Sequence, residues 1–264
     1  MQKIKKVLSF GAGTQSTGLL LMYLNKDINE EIDLIIFADT GSEPYFVYDY
    51  LKYFQDYIKV KYNREIIILK QKYTLEEHIR KCHSGELKRT PALPYYTTNG
   101  FVMRQCTVDY KIVPINQYAK KQFNVHKKKN PQKFEMIMGI SFDERERMKI
   151  NQEWYRINKY PLVDLKLNRN DVIKYILNQG LKEPPRSSCY FCPFHSNRYW
   201  KMLKNNYPEV FQKAIEFDNL IREKKGMREK QYLSKYKVPL SKIDFNFESS
   251  FPELIEECEG YCGV

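Results

Sequence analysis

Short apolar runs alternate with stretches of helical spacing along the first two thirds of the chain. After Pro44 the apolar residues recur every three to four positions, as they do on one face of a helix. The pattern predicts strands at Lys5–Phe10, Asp33–Ala38 and Glu65–Leu69, and helices at Ser16–Leu24, at Thr74–Cys82 and over Val47, Leu51, Phe54 and Ile58.

The same alternation continues to about residue 180. It predicts a helix at Tyr110–Gln122, strands at Phe134–Gly139 and Tyr160–Val163, and a helix that is capped by Asn168 and Asp171 and buries Val172, Ile173, Ile176 and Leu177. Strands that alternate with helices imply an α/β fold with a doubly wound, mainly parallel sheet of the Rossmann type. In such a sheet the ligand binds at the carboxyl ends of the strands.

The pattern changes near Pro184, where a cysteine pair, two predicted helices and a polar tail follow. We therefore predict an α/β nucleotide-binding domain at 1–183. A cysteine-containing helical extension and C-terminal tail, 184–264, would pack on it. The two helices are predicted at Arg198–Asn206 and Pro208–Lys225.

Composition narrows the class of protein. The chain has 264 residues, of which 42% are hydrophobic, and its longest apolar runs, Leu19–Leu24 and Leu34–Ala38, are far shorter than the roughly 20 residues of a membrane span. With too few apolar residues after Lys3–Lys6 for a secretory signal, we expect a cytoplasmic protein without a membrane partner. The net charge of +12 favours a polyanionic partner such as tRNA or DNA, although an AT-rich coding sequence would also enrich lysine.

A glycine-containing segment joins the first strand to the first helix. Gly11 and Gly13 allow backbone N–H groups to close around an anion, and the following helix adds the positive end of its dipole. The segment matches neither the Walker sequence nor the dinucleotide-binding glycine pattern, and a plain turn with two glycines is the alternative. The predicted nucleotide contacts here are Ser9, Phe10, Gly11, Ala12, Gly13, Thr14, Gln15 and Ser16.

Polar residues also follow the second strand, at Asp39-Thr40-Gly41-Ser42. The carboxyl end of a central strand is where α/β folds place ligand contacts. The alternative is that Thr40 or Ser42 caps the next helix. Two such loops on adjacent strands favour a ligand site.

Six cysteines lie at 82, 106, 189, 192, 258 and 262. In a reducing compartment such a set indicates metal binding or catalysis rather than disulfides. Cys189 and Cys192 form a Cys-x-x-Cys pair that can chelate one centre or act as a redox dithiol. No other cysteine lies at a metal-ligand spacing from Cys82, so we expect Cys82 to be an ordinary thiol.

Cationic residues flank these segments. Lys111 and Arg145, followed by Arg147 and Arg186, can bind phosphate or sulfate, and cations beside thiols lower the thiol pKa. The alternative is a solvated charged face. Of the four histidines, His195 alone lies close to a cysteine pair.

Taken in order, these motifs resemble those of the phosphoadenylyl-sulfate and adenylyl-sulfate reductases, within the adenine nucleotide alpha hydrolase-like ATP pyrophosphatases. The resemblance covers residues 5–195. It rests on the Ser9–Ser16 loop, Asp39-Thr40-Gly41, the segments Cys106–Ile115, Gly139–Arg147 and Tyr160–Ile176, and the Cys-x-x-Cys pair. Thr107 stands where the family has a second cysteine.

The resemblance implies ATP or a related adenine nucleotide bound on the loop and at Ala38, Asp39, Thr40 and Gly139. It also implies a 4Fe-4S cluster, with zinc as the alternative, held by Cys106, Cys189, Cys192 and one tail cysteine. Cys262 is our choice for that ligand, which leaves Cys258 as a nucleophile beside catalytic Lys111 and Arg145. The tail has no counterpart to the family's terminal histidine.

Three functions follow as hypotheses. The first is an enzyme that activates or adenylylates a substrate with ATP, or transfers sulfur, acting on a small molecule or a nucleic acid. The second is a thiol-dependent sulfonucleotide reductase. The third is a nucleotide- or redox-sensing binding module. A thiol or a ferredoxin-type protein would donate electrons or sulfur.

Overall fold

A computed structural model describes residues 3–222 and 229–245. In chain order the strands are β1 (Lys5–Ser9), β2 (Leu34–Asp39), β3 (Ile67–Lys70), β4 (Tyr96–Thr97), β5 (Gly100–Phe101), β6 (Phe134–Met138), β7 (Arg156–Lys159) and β8 (Gln231–Tyr232). The α-helices are α1 (Thr14–Leu24), α2 (Tyr45–Tyr62), α3 (Leu75–His83), α4 (Val113–Gln122), α5 (Pro161–Asp164), α6 (Arg169–Asn178), α7 (Asn197–Asn206) and α8 (Pro208–Arg222). A π-helix, Val108–Ile112, runs into α4, and 3-10 helices occupy Phe142–Arg147 and Leu240–Lys242.

The main sheet has five parallel strands in the order β3-β2-β1-β6-β7. Val7 of β1 pairs with Leu34 on one side and Met136 on the other. The chain moves outward from β1 to β3 and then returns to place β6 on the opposite side of β1. The strand order therefore reverses between β1 and β6, and this reversal is where Rossmann-like sheets bind ligands. The predicted fold class is confirmed.

Alternate residues of each central strand face opposite sides of the sheet, and each side carries its own core. Leu8, Ile35 and Ile137 pack against α1, α2 and α6. Val7, Ile36 and Met136 face α4. This period of two is what a strand buried on both faces requires.

A third core underlies the C-terminal part. It joins α7, α8 and β8 to α3, to the loop around Leu93 and Tyr95, and to Tyr110. A small antiparallel sheet in the order β5-β4-β8 closes it. Residues on both sides of position 184 share this core, and the boundary proposed there stays a prediction.

Two local predictions were wrong. Tyr160–Val163 is not a strand: the strand is Arg156–Lys159, and Pro161 instead starts the short helix α5. Proline has the φ angle of a first helical turn and needs no N–H partner there. Leu177 is 48% exposed, because it lies on the outer face of α6, whereas Val172 and Ile176 are fully buried. Within the described residues, no helix combines the length and the apolar composition that a bilayer crossing needs.

Packing of α1 on α6 depends on Gly18. A Cβ at this position would lie 2.3 Å from Cγ1 of Val172. We predict that Gly18→Leu lowers the free energy of unfolding by about 1–3 kcal/mol through overpacking, measured by urea denaturation. Gly100→Ala is the control, since a Cβ there meets no atom of the described residues within 4 Å. Equal stability of the two variants would contradict this account of the helix contact.

Candidate functional site

The segment after β1 forms a buried turn that leads into an uncapped helix. Gly13 is the N-cap of α1, and no side chain caps the helix there. The Gly11 N–H donates to Ser16 Oγ at 3.1 Å, and Ala12 adopts a left-handed φ of 59°. The first N–H groups of a helix have no partner within the helix, so they are suited to an anion.

The loop after β6 reaches the same turn. A Cβ on Gly139 would lie 2.8 Å from the backbone N of Ser16, so glycine permits this close approach. Gln15 Nε2 donates to Ser141 Oγ at 3.5 Å. The predicted residue Gly139 thus lies against the predicted loop, at the reversal of strand order.

Arg169, which sequence reasoning did not single out, also contacts this loop. Its guanidinium donates to Gln15 Oε1 and to Thr14 Oγ1, both at 3.1 Å, and its backbone N–H donates to Asp143 Oδ1 at 3.2 Å. A cation therefore lies over the uncapped end of α1. The one sequence pattern that pointed to Arg169 was the capping box of Asn168 and Asp171, because it places Arg169 in the first turn of α6.

Asp39 and Thr40 shape the neighbouring turn after β2. Asp39 Oδ1 accepts hydrogen bonds from the Gly41 N–H at 2.7 Å and from the Tyr48 hydroxyl at 2.8 Å. Burial, and secondarily the Asp39 charge, raise the Tyr48 pKa above its ordinary value. The Ala38 side chain is buried in the core facing α4, so its backbone is what remains for a ligand.

Three predicted ligands come together at the end of β2. Cys106, Cys189 and Cys192 line one cavity with Thr40, Arg104 and Lys111. Thr40 Oγ1 lies 3.3 Å from Cys189 Sγ, which links the cavity to the turn after β2. Burial, and then the Glu43 carboxylate, raise the pKa of the Cys189 thiol, whereas Lys111 opposes that rise.

The cysteines share a cavity without forming a single-ion site. Among the described residues, no group of three or more His, Cys, Asp or Glu side chains is arranged to hold one metal ion. An iron–sulfur cluster binds its thiolates through several iron atoms, so it can span sulfurs that line a common cavity. Three thiols beside two cations are chemically suited to such an anionic group.

Lys111 forms a buried ion pair that the sequence did not reveal. Its Nζ lies 3.8 Å from Glu43 Oε1, and the two side chains are only 8% and 1% exposed. Ser187 Oγ donates to the other Glu43 oxygen at 3.3 Å. Glu43 looked like an ordinary residue before a helix, and only its burial identifies it as the counter-charge of Lys111.

His195 supports the Cys-x-x-Cys turn. His195 Nε2 donates to the Cys189 carbonyl at 2.9 Å, and the Cys192 N–H donates to the same carbonyl oxygen. Burial, with Arg186 nearby, lowers the His195 pKa well below its ordinary value, so the ring is neutral. His195 thus contacts the Cys-x-x-Cys turn through the Cys189 carbonyl.

Arg145 and Cys82 are not among the residues that line the three-cysteine cavity. Arg145 is exposed and turns back on its own 3-10 helix, donating to the Phe142 carbonyl at 3.3 Å. Cys82 is buried and donates to the Arg89 carbonyl. Cys258 and Cys262 lie outside the described residues, so the fourth ligand and the nucleophile stay predictions.

Comparison with known proteins gives distant similarities. No family model matches the chain. Uncharacterized protein MJ0973 of Methanocaldococcus jannaschii is 27% identical over 219 residues, which cover 79% of this chain and 46% of that protein. The chain thus spans about half the length of this curated relative. The U34-tRNA thiolase NcsA of Methanococcus maripaludis, solved with its 4Fe-4S cluster, aligns over 83% of this chain and 72% of that one, with 14% identity and a TM-score of 0.41.

Neither similarity reaches the level that defines a family. Membership of the sulfonucleotide-reductase-like family therefore stays a prediction from the sequence motifs.

The buried ion pair generates a stability prediction. Lys111→Met should lower the free energy of unfolding by about 3 kcal/mol, because it leaves the Glu43 carboxylate buried without its cation. Adding Glu43→Gln should restore much of the loss, since the double variant buries no unpaired charge. Urea denaturation of the two single variants and the double variant measures the coupling. Strictly additive losses would show that the pair does not interact.

Proposed function

We propose that this chain is an ATP-dependent enzyme that activates an acceptor with release of pyrophosphate, next to a cysteine-bound iron–sulfur centre. One observation carries the proposal. The turn with an uncapped helix follows β1, the Asp39-Thr40 turn follows the adjacent strand β2, and Thr40 also lines the three-cysteine cavity. Nucleotide and centre would therefore be neighbours.

The Ser9–Ser16 turn would hold the phosphates of ATP. The N–H groups at the start of α1 and the Arg169 guanidinium supply positive charge there. Gly139 keeps the turn and the β6 loop in contact. A guanidinium already held over the turn stabilises charge on the phosphates without a large rearrangement.

The activation step is a displacement at the α-phosphorus of ATP. An acceptor oxygen forms a new bond to that phosphorus, the bond to the bridging oxygen of the β-phosphate breaks, and pyrophosphate leaves. Negative charge grows on the leaving pyrophosphate. Arg169 and the end of α1 are placed to stabilise that charge, since both face the same turn.

Cys106, Cys189 and Cys192 would hold the centre, with a fourth ligand from the tail. An iron–sulfur centre supplies a site for sulfur binding or electron transfer. Lys111 and Arg104 line the same cavity and offset the negative charge of thiolates, while Glu43 keeps the Lys111 charge from being unbalanced. Zinc would use the same thiolates without redox chemistry.

The ATP-dependent part of the proposed function is tested by ATP binding and ATP turnover. Arg169→Ala should weaken ATP binding at least tenfold, because a charge-assisted contact of about 1.5–3 kcal/mol is lost. Arg169→Lys should lose less, and Lys174→Ala, an exposed residue on the same helix, should change nothing. Equilibrium dialysis and a pyrophosphate-release assay measure both properties. Formation of sulfite from a sulfonucleotide and a thiol, without pyrophosphate release, would replace this function by reduction.

The metal half is tested by anaerobic purification with iron, sulfide and zinc analysis. We expect iron and sulfide with broad visible absorbance, and we expect Cys106→Ala, Cys189→Ala and Cys192→Ala each to lose them. Cys82→Ala is the matched control, since Cys82 does not line the cavity. Zinc in place of iron would remove the redox part of the proposal.

A further inference from the structure

A second cavity, called the outer cavity below, is lined by segments that also line the three-cysteine cavity. It has a volume of about 220 Å³, and its walls include Lys72, Tyr73, His78, Arg89 and Asp109. Two of its lining residues, Gln71 and Lys72, directly follow the edge strand β3. Nothing in the proposed ATP chemistry uses these residues.

The cavity combines an aromatic ring with two cations. Lys72 and Arg89 line the cavity, and Lys72 Nζ lies 5.2 Å from the centre of the Tyr73 ring. Lys81 Nζ, which pairs with Glu86 at 2.6 Å and does not line the cavity, lies 5.5 Å from the same ring. Arg89 is 76% exposed, and its bonds to the two oxygens of Asp109 are long, at 3.3 and 3.5 Å. An exposed ion pair of this kind contributes little, so a phosphate can compete for the guanidinium.

His78 fixes the shape of the cavity. Its Nε2 lies 3.0 Å from the Arg89 carbonyl oxygen, and its Nδ1 lies 3.0 Å from the Tyr110 hydroxyl. One side chain thus joins α3, the Arg89 loop and the π-helix. A π-helix is an uncommon turn that often marks a functional site.

The same three segments form walls of both cavities. Helix α3 contributes His78 to the outer cavity and Leu75 to the three-cysteine cavity. The π-helix contributes Tyr110 to the outer cavity, and Thr107, the residue before it, lines the three-cysteine cavity. The loop after Arg89 contributes Pro91 to the outer cavity and Leu93 to the three-cysteine cavity. The two cavities are therefore built from the same three segments of the chain.

We propose that this outer cavity binds the phosphodiester backbone of a nucleic-acid acceptor, with a base against Tyr73. This assignment rests on the proposed function, because it names the acceptor. Two cations, Lys72 and Arg89, in one cavity with the Tyr73 ring suit a strand that carries phosphate and base in alternation, and the net charge of +12 has the matching sign. A free mononucleotide would share this chemistry and is separated by experiment.

Binding of labelled strands tests the proposal. Fluorescence anisotropy would follow a fluorescein-labelled single strand of about ten nucleotides, as RNA and as DNA, on the full chain. We expect Arg89→Gln and Lys72→Gln to weaken binding about fivefold and to lower the salt slope by about 0.7 each. Tyr73→Leu should weaken binding about tenfold through lost stacking.

Matched controls are Lys88→Gln and Lys70→Gln, which change exposed lysines near the same positions that do not line the cavity. If cavity and control variants bind the strands equally, the assignment is wrong. It is also wrong if AMP displaces the strand at equal concentration, because a mononucleotide site would then suffice. ATP binding is measured on the unaltered chain and on every variant. An unaltered chain that binds ATP but no strand overturns this inference alone, whereas an unaltered chain that does not bind ATP overturns the proposed function.

Discussion

The parallel pairing of β1 with both β2 and β6 is the constraint on which the rest of the structure depends. Parallel strands end at the same edge, so this pairing brings three loops together whatever their individual sequences. The loop contacts follow from it. Gly139 can approach Ser16 only because β6 lies beside β1, and Thr40 can meet a cysteine only because β2 ends at the same edge.

The C-terminal part completes the site by packing rather than by continuing the sheet. Its core includes residues of α3, of the Leu93 loop and of the π-helix, which carries Lys111. The Tyr190 N–H donates to the Ser42 carbonyl at 2.9 Å and ties the Cys-x-x-Cys turn to the end of β2. Cysteines 83 residues apart in sequence (189 − 106) thereby line one cavity.

Several cationic side chains lie near this edge of the sheet. Arg169 contacts the turn after β1, and Lys111 lines the three-cysteine cavity. Lys72 and Arg89 line the outer cavity. The buried carboxylate of Glu43 balances Lys111, and the paired geometry is required because an isolated buried charge is costly.

The sequence by itself determined the alternation of strands and helices, the turn after β1 and the Cys-x-x-Cys pair, because each is a local pattern of a few residues. It misplaced β7, where Pro161 looked like the interior of a strand but begins a helix. It also missed Glu43 and Arg169. Only the tertiary structure decided their roles, since a charge becomes part of a site through its burial and through contacts with residues distant in sequence, such as Lys111 for Glu43 and Thr14 for Arg169.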